Sequence, residues 1–216
     1  MVPARFRSHV VHVIESDHPR NLFGFKDGTA NIVAEDDAAL AEMVWVDPAD
    51  DPGASWLGGG TYLVARRIDM HIETWDRTSL GEQEAVIGRD KRHGAPLSGG
   101  TEFSEPEFAL TGNDGPLIPV DSHVRLAHPS ENGGTRLLRR GYNFTDGSDG
   151  LGRLDAGLFF IAFTRDPVRH FVPMQTKLAR DDRLSEYLRH TGSALFAVPP
   201  GVRGADRYVG DALFES

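Results

Sequence analysis

The chain has 216 residues, a formal net charge of −9, and 39% hydrophobic and 25% charged residues. That length and balance suit one sizeable folded domain or two small ones, and they argue against disorder. The acidic balance disfavours a general nucleic-acid binder or an electrostatic membrane anchor, and the absence of cysteine removes disulfides, thiol catalysis, thiolate zinc sites and iron–sulfur clusters.

"HVVHVI" (His9 to Ile14) reads as a short strand. The opening "MVPARFRSHVVHVIES" has no signal-peptide pattern, and no run approaches the ~20 apolar residues of a membrane helix. A chain complete as it stands is therefore expected in the cytoplasm. "AEDDAALAEMVWV" (Ala34 to Val46) suggests a helix with acids early. "DPADDPGASWLGGG" is loop by its Pro, Gly and Asp content. "TYLVARRIDMHI" alternates, with Tyr62, Val64, Ile68, Met70 and Ile72 on one face and Arg66 interrupting it. This pattern predicts a strand.

Ser79 and Glu82 have capping-box spacing, so a helix should start there. The segment from His93 to Pro119 is long and rich in turn residues, a length usually reserved for functional or disordered loops. "GLFFIAF" (Gly157 to Phe163) is apolar throughout and reads as a central strand buried on both faces. "DPVRHFVPMQTKLA" and "DRLSEYLRHT" read as two helices, with Pro173 kinking the first or marking its start. Leu184, Tyr187 and Leu188 form the inward stripe of the second. "SALFAVP" closes with a strand. The expected class is α+β, with helices over an antiparallel sheet.

Chemistry-bearing residues are few. No histidine pair has the HExxH spacing of a zinc helix, and no GxSxG is present. "GFKDGTAN" (Gly24 to Asn31) sets Asp27 in a glycine turn, which is also ordinary surface-turn chemistry. His123 precedes a segment dense in arginine: Arg125, Arg136, Arg139 and Arg140 surround a Pro-Gly loop. In an acidic protein such a cluster suits a bound phosphate or carboxylate; a salt-bridged surface loop fits equally well.

Taken in order, "GFKDGTAN", "ETWDRTSLGEQEAVIGRDKRHGAPL", "SHVRLAHP", "LLRRGYNF", "DAGLFFIAFTRDP" and "HTGSALFAVPPG" resemble the dye-decolorising peroxidases. The first looks like the GxxDG signature of that family. The nearest likeness is to its deferrochelatase/peroxidase-like subgroup, which is often exported. The match runs from about Asn21 almost to the C-terminus and corresponds to the family's C-terminal half. The resemblance implies a ferredoxin-like antiparallel sheet, one half of a dimeric-α/β-barrel-type fold. Residues 1–60 would carry the GxxDG segment and a linker, and residues 61–216 the haem-binding domain, together one structural unit.

The resemblance further implies haem b, with His123 as the ligand to iron and Asp182 as its hydrogen-bond partner; Asp181 is the alternative. Asp27 and Arg139 would be catalytic, with Arg140 the alternative arginine. Gly28, Thr29 and Ala30 would line the haem edge. His128, Pro129 and Ser130 occupy positions of further haem contacts, although the family often has Asn-Pro-Arg there. The activity implied is peroxide reduction, with Asp27 shuttling a proton and Arg139 stabilising charge as the O–O bond breaks. A reductant would then return electrons singly, with Trp45, Trp56, Trp75 and Tyr142 as candidate relays. The alternative is a haem-binding or iron-release module of little turnover. A homo-oligomer or a separate N-terminal half are the expected partners, beside peroxide and a small reductant; neither nucleic acid nor a membrane span is expected.

Overall fold

The computed structural model describes residues 19–214, apart from 149, 203 and 206. The expected strand at His9 to Ile14 lies outside the described residues. Four long strands form one sheet: β1 (Thr61–Met70), β2 (Leu138–Ser148), β3 (Leu154–Thr164) and β4 (Leu188–Val198). Their spatial order is β2-β3-β1-β4, and every neighbouring pair is antiparallel. With helices between β1 and β2 and between β3 and β4, this is the ferredoxin-like arrangement.

β1 forms where the alternating pattern required it, and Val64, Ile68 and Met70 are buried. A short α1 (Asp37–Met43) is capped by Asp36, whose carboxylate accepts from the Ala39 N–H at 3.0 Å. After β1 come α2 (Ile72–Asp76) and α3 (Leu80–Ile87). Ser79 caps α3 by accepting from the Glu82 N–H at 3.3 Å, as its spacing implied. Most of the chain between α3 and α4 (His123–Ala127) is irregular, with one small hairpin at residues 111–116. α5 (Val172–Asp181) follows a π-helical turn, Pro167–Phe171, and Pro173 sits in its first turn, where no N–H is missed.

Two expectations need correction. The segment "DRLSEYLRHT" is no helix: Arg183–Tyr187 make a 3₁₀ turn, and Leu188 already begins β4. The stripe Leu184, Tyr187, Leu188 still points inward, because a 3₁₀ turn also brings residues three apart onto one side. "GLFFIAF" does lie on an interior strand, yet Leu158, Phe159, Phe160 and Ile161 are only half-buried. Phe159 and Ile161 lie on the less covered of the two sheet faces, and Leu158 and Phe160 pack only at the margins of the clusters on the other. Helices α2–α5 cover one face through two clusters. The first joins Phe23, Phe25, Met70, Trp75, Val86, Leu184 and Tyr187 to Leu158; the second joins Val64, Ala162 and Met174 to Phe160 and Phe171. The opposite face is covered by α1 only at the end carrying Leu138 and Phe163. On that face Tyr142 and Phe196 remain 42% and 51% exposed. The segment "LRRGYNFTDGS", to which the sequence reading assigned no element, forms the edge strand β2.

Candidate functional site

Two aspartates on distant parts of the chain each meet a basic side chain. The first pair comes from the sheet side. Residues 19–31 form a turn pinned by aromatic burial: Phe23 stacks on Trp75 with ring centroids 4.4 Å apart, and the Trp75 indole N–H donates to the Phe23 carbonyl at 3.1 Å. Asn21 Oδ1 accepts from the Phe23 and Phe25 N–H groups. Lys26 makes a buried ion pair with Glu102, whose backbone carbonyl accepts from the buried Arg89. This scaffold fixes the residue that follows, Asp27. Gly28 then adopts φ +94°, a left-handed conformation that L side chains rarely take.

Asp27 Oδ1 accepts from Arg139 Nη1 at 3.0 Å. Arg139 sits near the start of β2, where Asn31 holds its backbone twice. The Arg139 N–H donates to Asn31 Oδ1 at 2.9 Å, and Asn31 Nδ2 donates back to the Arg139 carbonyl at 2.9 Å. Gly141, two residues along the same sheet face, supplies the space for the acid: a Cβ there would stand 2.5 Å from Asp27 Oδ2. Arg140 points to the other face, its guanidinium 5.6 Å from the Tyr142 ring. The geometry thus places Arg139, not Arg140, against Asp27.

The second pair comes from the helical layer. His123 opens α4, which packs on α5. Its Nδ1 donates to Asp182 Oδ2 at 2.6 Å. Asp182 is the cap of the 3₁₀ turn, and its Oδ1 accepts from the Leu184 N–H at 2.9 Å. Its side chain is only 4% exposed, whereas that of His123 is 39% exposed. Both carboxylate oxygens are therefore committed, and the imidazole is oriented from its Nδ1 side. Nε2 makes no hydrogen bond among the described residues. Asp181, the alternative partner, instead pairs with Arg180 on the surface, which holds its carboxyl below the usual range.

The remaining expected positions divide. Thr29 Oγ1 is buried and has no hydrogen-bond partner, as for a hydroxyl awaiting a ligand. Ala30 is exposed beside it. His128 has both ring nitrogens occupied, by Glu105 at 2.8 Å and Ser130 at 2.9 Å, and Pro129 and Ser130 form a 3₁₀ turn capped by His128. The arginines around His123 do not converge on one anion. Arg125 donates to the Phe108 and Ile118 carbonyls, Arg136 pairs with Asp36, Arg139 with Asp27, and Arg140 faces away. Two contributors escaped the sequence reading, Asn31 and Gly141. The signal was present: Leu138, Tyr142 and Phe144 alternate, which sets Arg139 and Gly141 together on the opposite side.

What can such an arrangement do? The sheet presents a carboxylate and a guanidinium, a proton acceptor beside a fixed positive charge. The helical layer presents an imidazole oriented through Nδ1, with Nε2 left without a hydrogen bond among the described residues. Among the described residues no cluster of three or more His, Asp or Glu could hold a metal ion. A metal-ligating histidine usually donates its other ring N–H to such a carboxylate, and a haem-type cofactor needs only one such protein ligand.

Comparison with known proteins agrees with this chemistry. Residues 18–203 match the model of the family "Dyp-type peroxidase, C-terminal". The chain is 45% identical over 199 residues to a dye-decolorizing peroxidase of Thermobifida fusca, covering 91% of this chain and 46% of that protein. It is 40% identical over 207 residues to the deferrochelatase of Escherichia coli K12, covering 95% and 48%. The structure of ferric DtpA from Streptomyces lividans superposes with a TM-score of 0.87 at 40% identity, over 97% of this chain and 56% of that one. The chain thus spans about half the length of the curated relatives it matches.

Proposed function

The chain belongs to the Dyp-type peroxidase family, and from that premise we propose that it binds haem b and reduces hydrogen peroxide at the expense of a small aromatic or similar reductant. The observation that carries this reading is the pairing of two differently built aspartates: His123–Asp182 in the helical layer and Asp27–Arg139 on the sheet it covers. His123 would hold the iron through Nε2. Gly28, Thr29 and Ala30 would contact the edge of the ring, with the unpartnered Thr29 hydroxyl offering a polar contact. When bound, haem supplies the redox-active iron.

The chain's own residues supply the rest. Asp182 takes the Nδ1 proton of His123 into a short bond, fixes the tautomer, and makes the ligating nitrogen more basic. Asp27, beside Arg139, can accept a proton from peroxide at one oxygen and return it to the other. Arg139 keeps its charge at any working pH and stands ready for the negative charge that develops as the O–O bond breaks. Asn31 and Gly141 hold these two groups in register. The visible spectrum of the purified chain with haem, before and after one equivalent of peroxide, tests the proposal. A Soret band that shifts on peroxide addition is the expected result; uptake of haem with no response to peroxide would leave binding and remove turnover.

The second reading, a haem-binding or iron-release module of little turnover, is favoured by one observation. The sheet face away from the helices carries Tyr142 and Phe196 half exposed and is closed only at one end. Apolar surface of this kind marks a contact site. A further ferredoxin-like unit, from the N-terminal half of such proteins or from a second copy, would fit it. Sedimentation with and without a separately supplied N-terminal half checks this; a monodisperse monomer holding haem tightly and turning over peroxide would remove the need for a partner.

A further inference from the structure

With the arginines near His123 dispersed, a negatively charged ligand edge still needs a cation. Arg66 is the residue that broke the alternation of β1. On the helix-covered face it occupies the row Gly141–Phe160–Arg66–Ser193, given by the strand registers. At about 4.8 Å per strand, its Cα lies roughly 10 Å from that of Gly141, under Asp27. The row borders both apolar clusters on this face, its Phe160 packing against the second.

The surroundings of Arg66 are built but incomplete. Its Nε donates to Ser193 Oγ at 3.0 Å. Its guanidinium stands 5.8 Å from the ring of Phe171, which the π-helical turn before α5 positions. Nη1 is buried and has no hydrogen-bond partner. No carboxylate of the described residues pairs with it, whereas Arg67, its neighbour on the opposite face, meets Asp69, Asp146 and Asp155. A half-buried guanidinium without a counter-ion is costly, and sites that keep one commonly use it on a ligand.

We propose that Arg66, with Ser193 and His190 beside it on β4, receives a carboxylate of the haem, one of its propionates. The inference rests on the haem reading above. Burial without a counter-charge pushes the Arg66 guanidinium below its ordinary value, and the His190 imidazole is lowered first by its own burial and then by the charge of Arg66. Both shifts are in the direction that a bound carboxylate would relieve. Ser193 fixes the guanidinium from its Nε side and leaves the terminal nitrogens for the forked contact arginine makes with carboxylates.

The test is a spectrophotometric titration of the apo chain with ferric haem and with its dimethyl ester, which lacks the carboxylates. The wild type should prefer the free acid by about tenfold or more, the scale of one hydrogen bond to a charged group. Arg66→Leu should abolish that preference, and Arg66→Lys should retain part of it. The apo Arg66→Leu chain should melt no lower than wild type, since an unpaired buried charge is removed. If Arg66→Leu fails to fold, Ser193→Val should still weaken the preference for the free acid. A Soret band through His123 with an ester preference unchanged by these variants overturns the carboxylate assignment alone. No Soret band with either porphyrin overturns the haem reading with it.

Discussion

The two aspartate pairs look alike on paper and are built in opposite ways. Asp182 is buried, caps a 3₁₀ turn with one oxygen and holds His123 at 2.6 Å with the other. Asp27 rides on a glycine turn, with Asp27 and Arg139 side chains 21% and 30% exposed. The first carboxylate is locked by fold elements on both sides. The second is held by the fold at its backbone only, and its side chain meets a single partner, Arg139. The proposed ligand to iron must not move, whereas the proposed proton carrier must be able to release its partner and turn. Substitutions in the first pair should therefore alter what is bound, and substitutions in the second should alter how fast it reacts.

That contrast can be broken most directly at His123. His123→Ala should lower haem affinity by more than about a hundredfold, above the scale typical of residues that only support a ligand. An unchanged Soret band would transfer the ligand role to His128 or elsewhere. In the other pair, Arg139→Leu should slow formation of the first oxidised haem species by about tenfold or more, the loss expected for one electrostatic donor. Asp27→Ala should slow it less, because water can carry a proton but nothing nearby replaces the charge. Stopped-flow rates settle the ranking, and a slower Asp27→Ala reverses it. Neither variant should alter haem affinity as much as His123→Ala.

Asp182→Asn sharpens the contrast further. The amide can still cap Leu184 through its carbonyl, so the fold should survive. Haem affinity should fall about tenfold, and the reduction potential should become more positive, because a neutral partner leaves the ligand less electron-rich. A potential that stays put would assign Asp182 to capping alone.

The smallest effect is expected at His170, which serves as a control. Its Nδ1 meets Thr164 Oγ1 at 2.9 Å, away from both pairs. Burial lowers its pKa first; Asp166 and Glu42 raise it, and Arg165 and Arg169 lower it. A base whose folded pKa is depressed binds fewer protons folded than unfolded. Its favourable share of stability is complete above its ordinary value of 6.5 and is lost as pH falls towards the depressed folded value. His170→Gln should flatten the fall of melting temperature across that acid range and leave the Soret band unaltered. An unchanged acid slope would mean that His170 is not the group responsible.

Local signals were the legible ones. Ser79 and Glu82 announced α3, and β1 was visible because Val64, Ile68 and Met70 alternate onto one buried face. β2 was obscured because its exposed face carries Arg140 and its other face needs Gly141 for Asp27. Neither residue favours a strand by propensity. The stretch from Leu184 to Leu188 has helical spacing over so few residues that a 3₁₀ turn entering a strand satisfies it equally. Within the site, His123 and Asp182 are 59 residues apart and share no local pattern, so their pairing could come only from resemblance. The arginine density that singled out His123 turned out to serve four separate contacts.

Asn31 has one more consequence. A side-chain amide carries a donor and an acceptor side by side, as a peptide group does, and here it docks onto the outer edge of β2 at one residue. It acts as an indexing pin. Were β2 to slide past it by a single position, the alternation of a strand would turn Arg139 away and bring Arg140 inward, leaving the composition of the site intact and its charge on the wrong side. Arginine chemistry cannot tell these two neighbours apart. The choice between them is made by an amide four residues beyond Asp27, so the same short turn that delivers the acid also selects its cation.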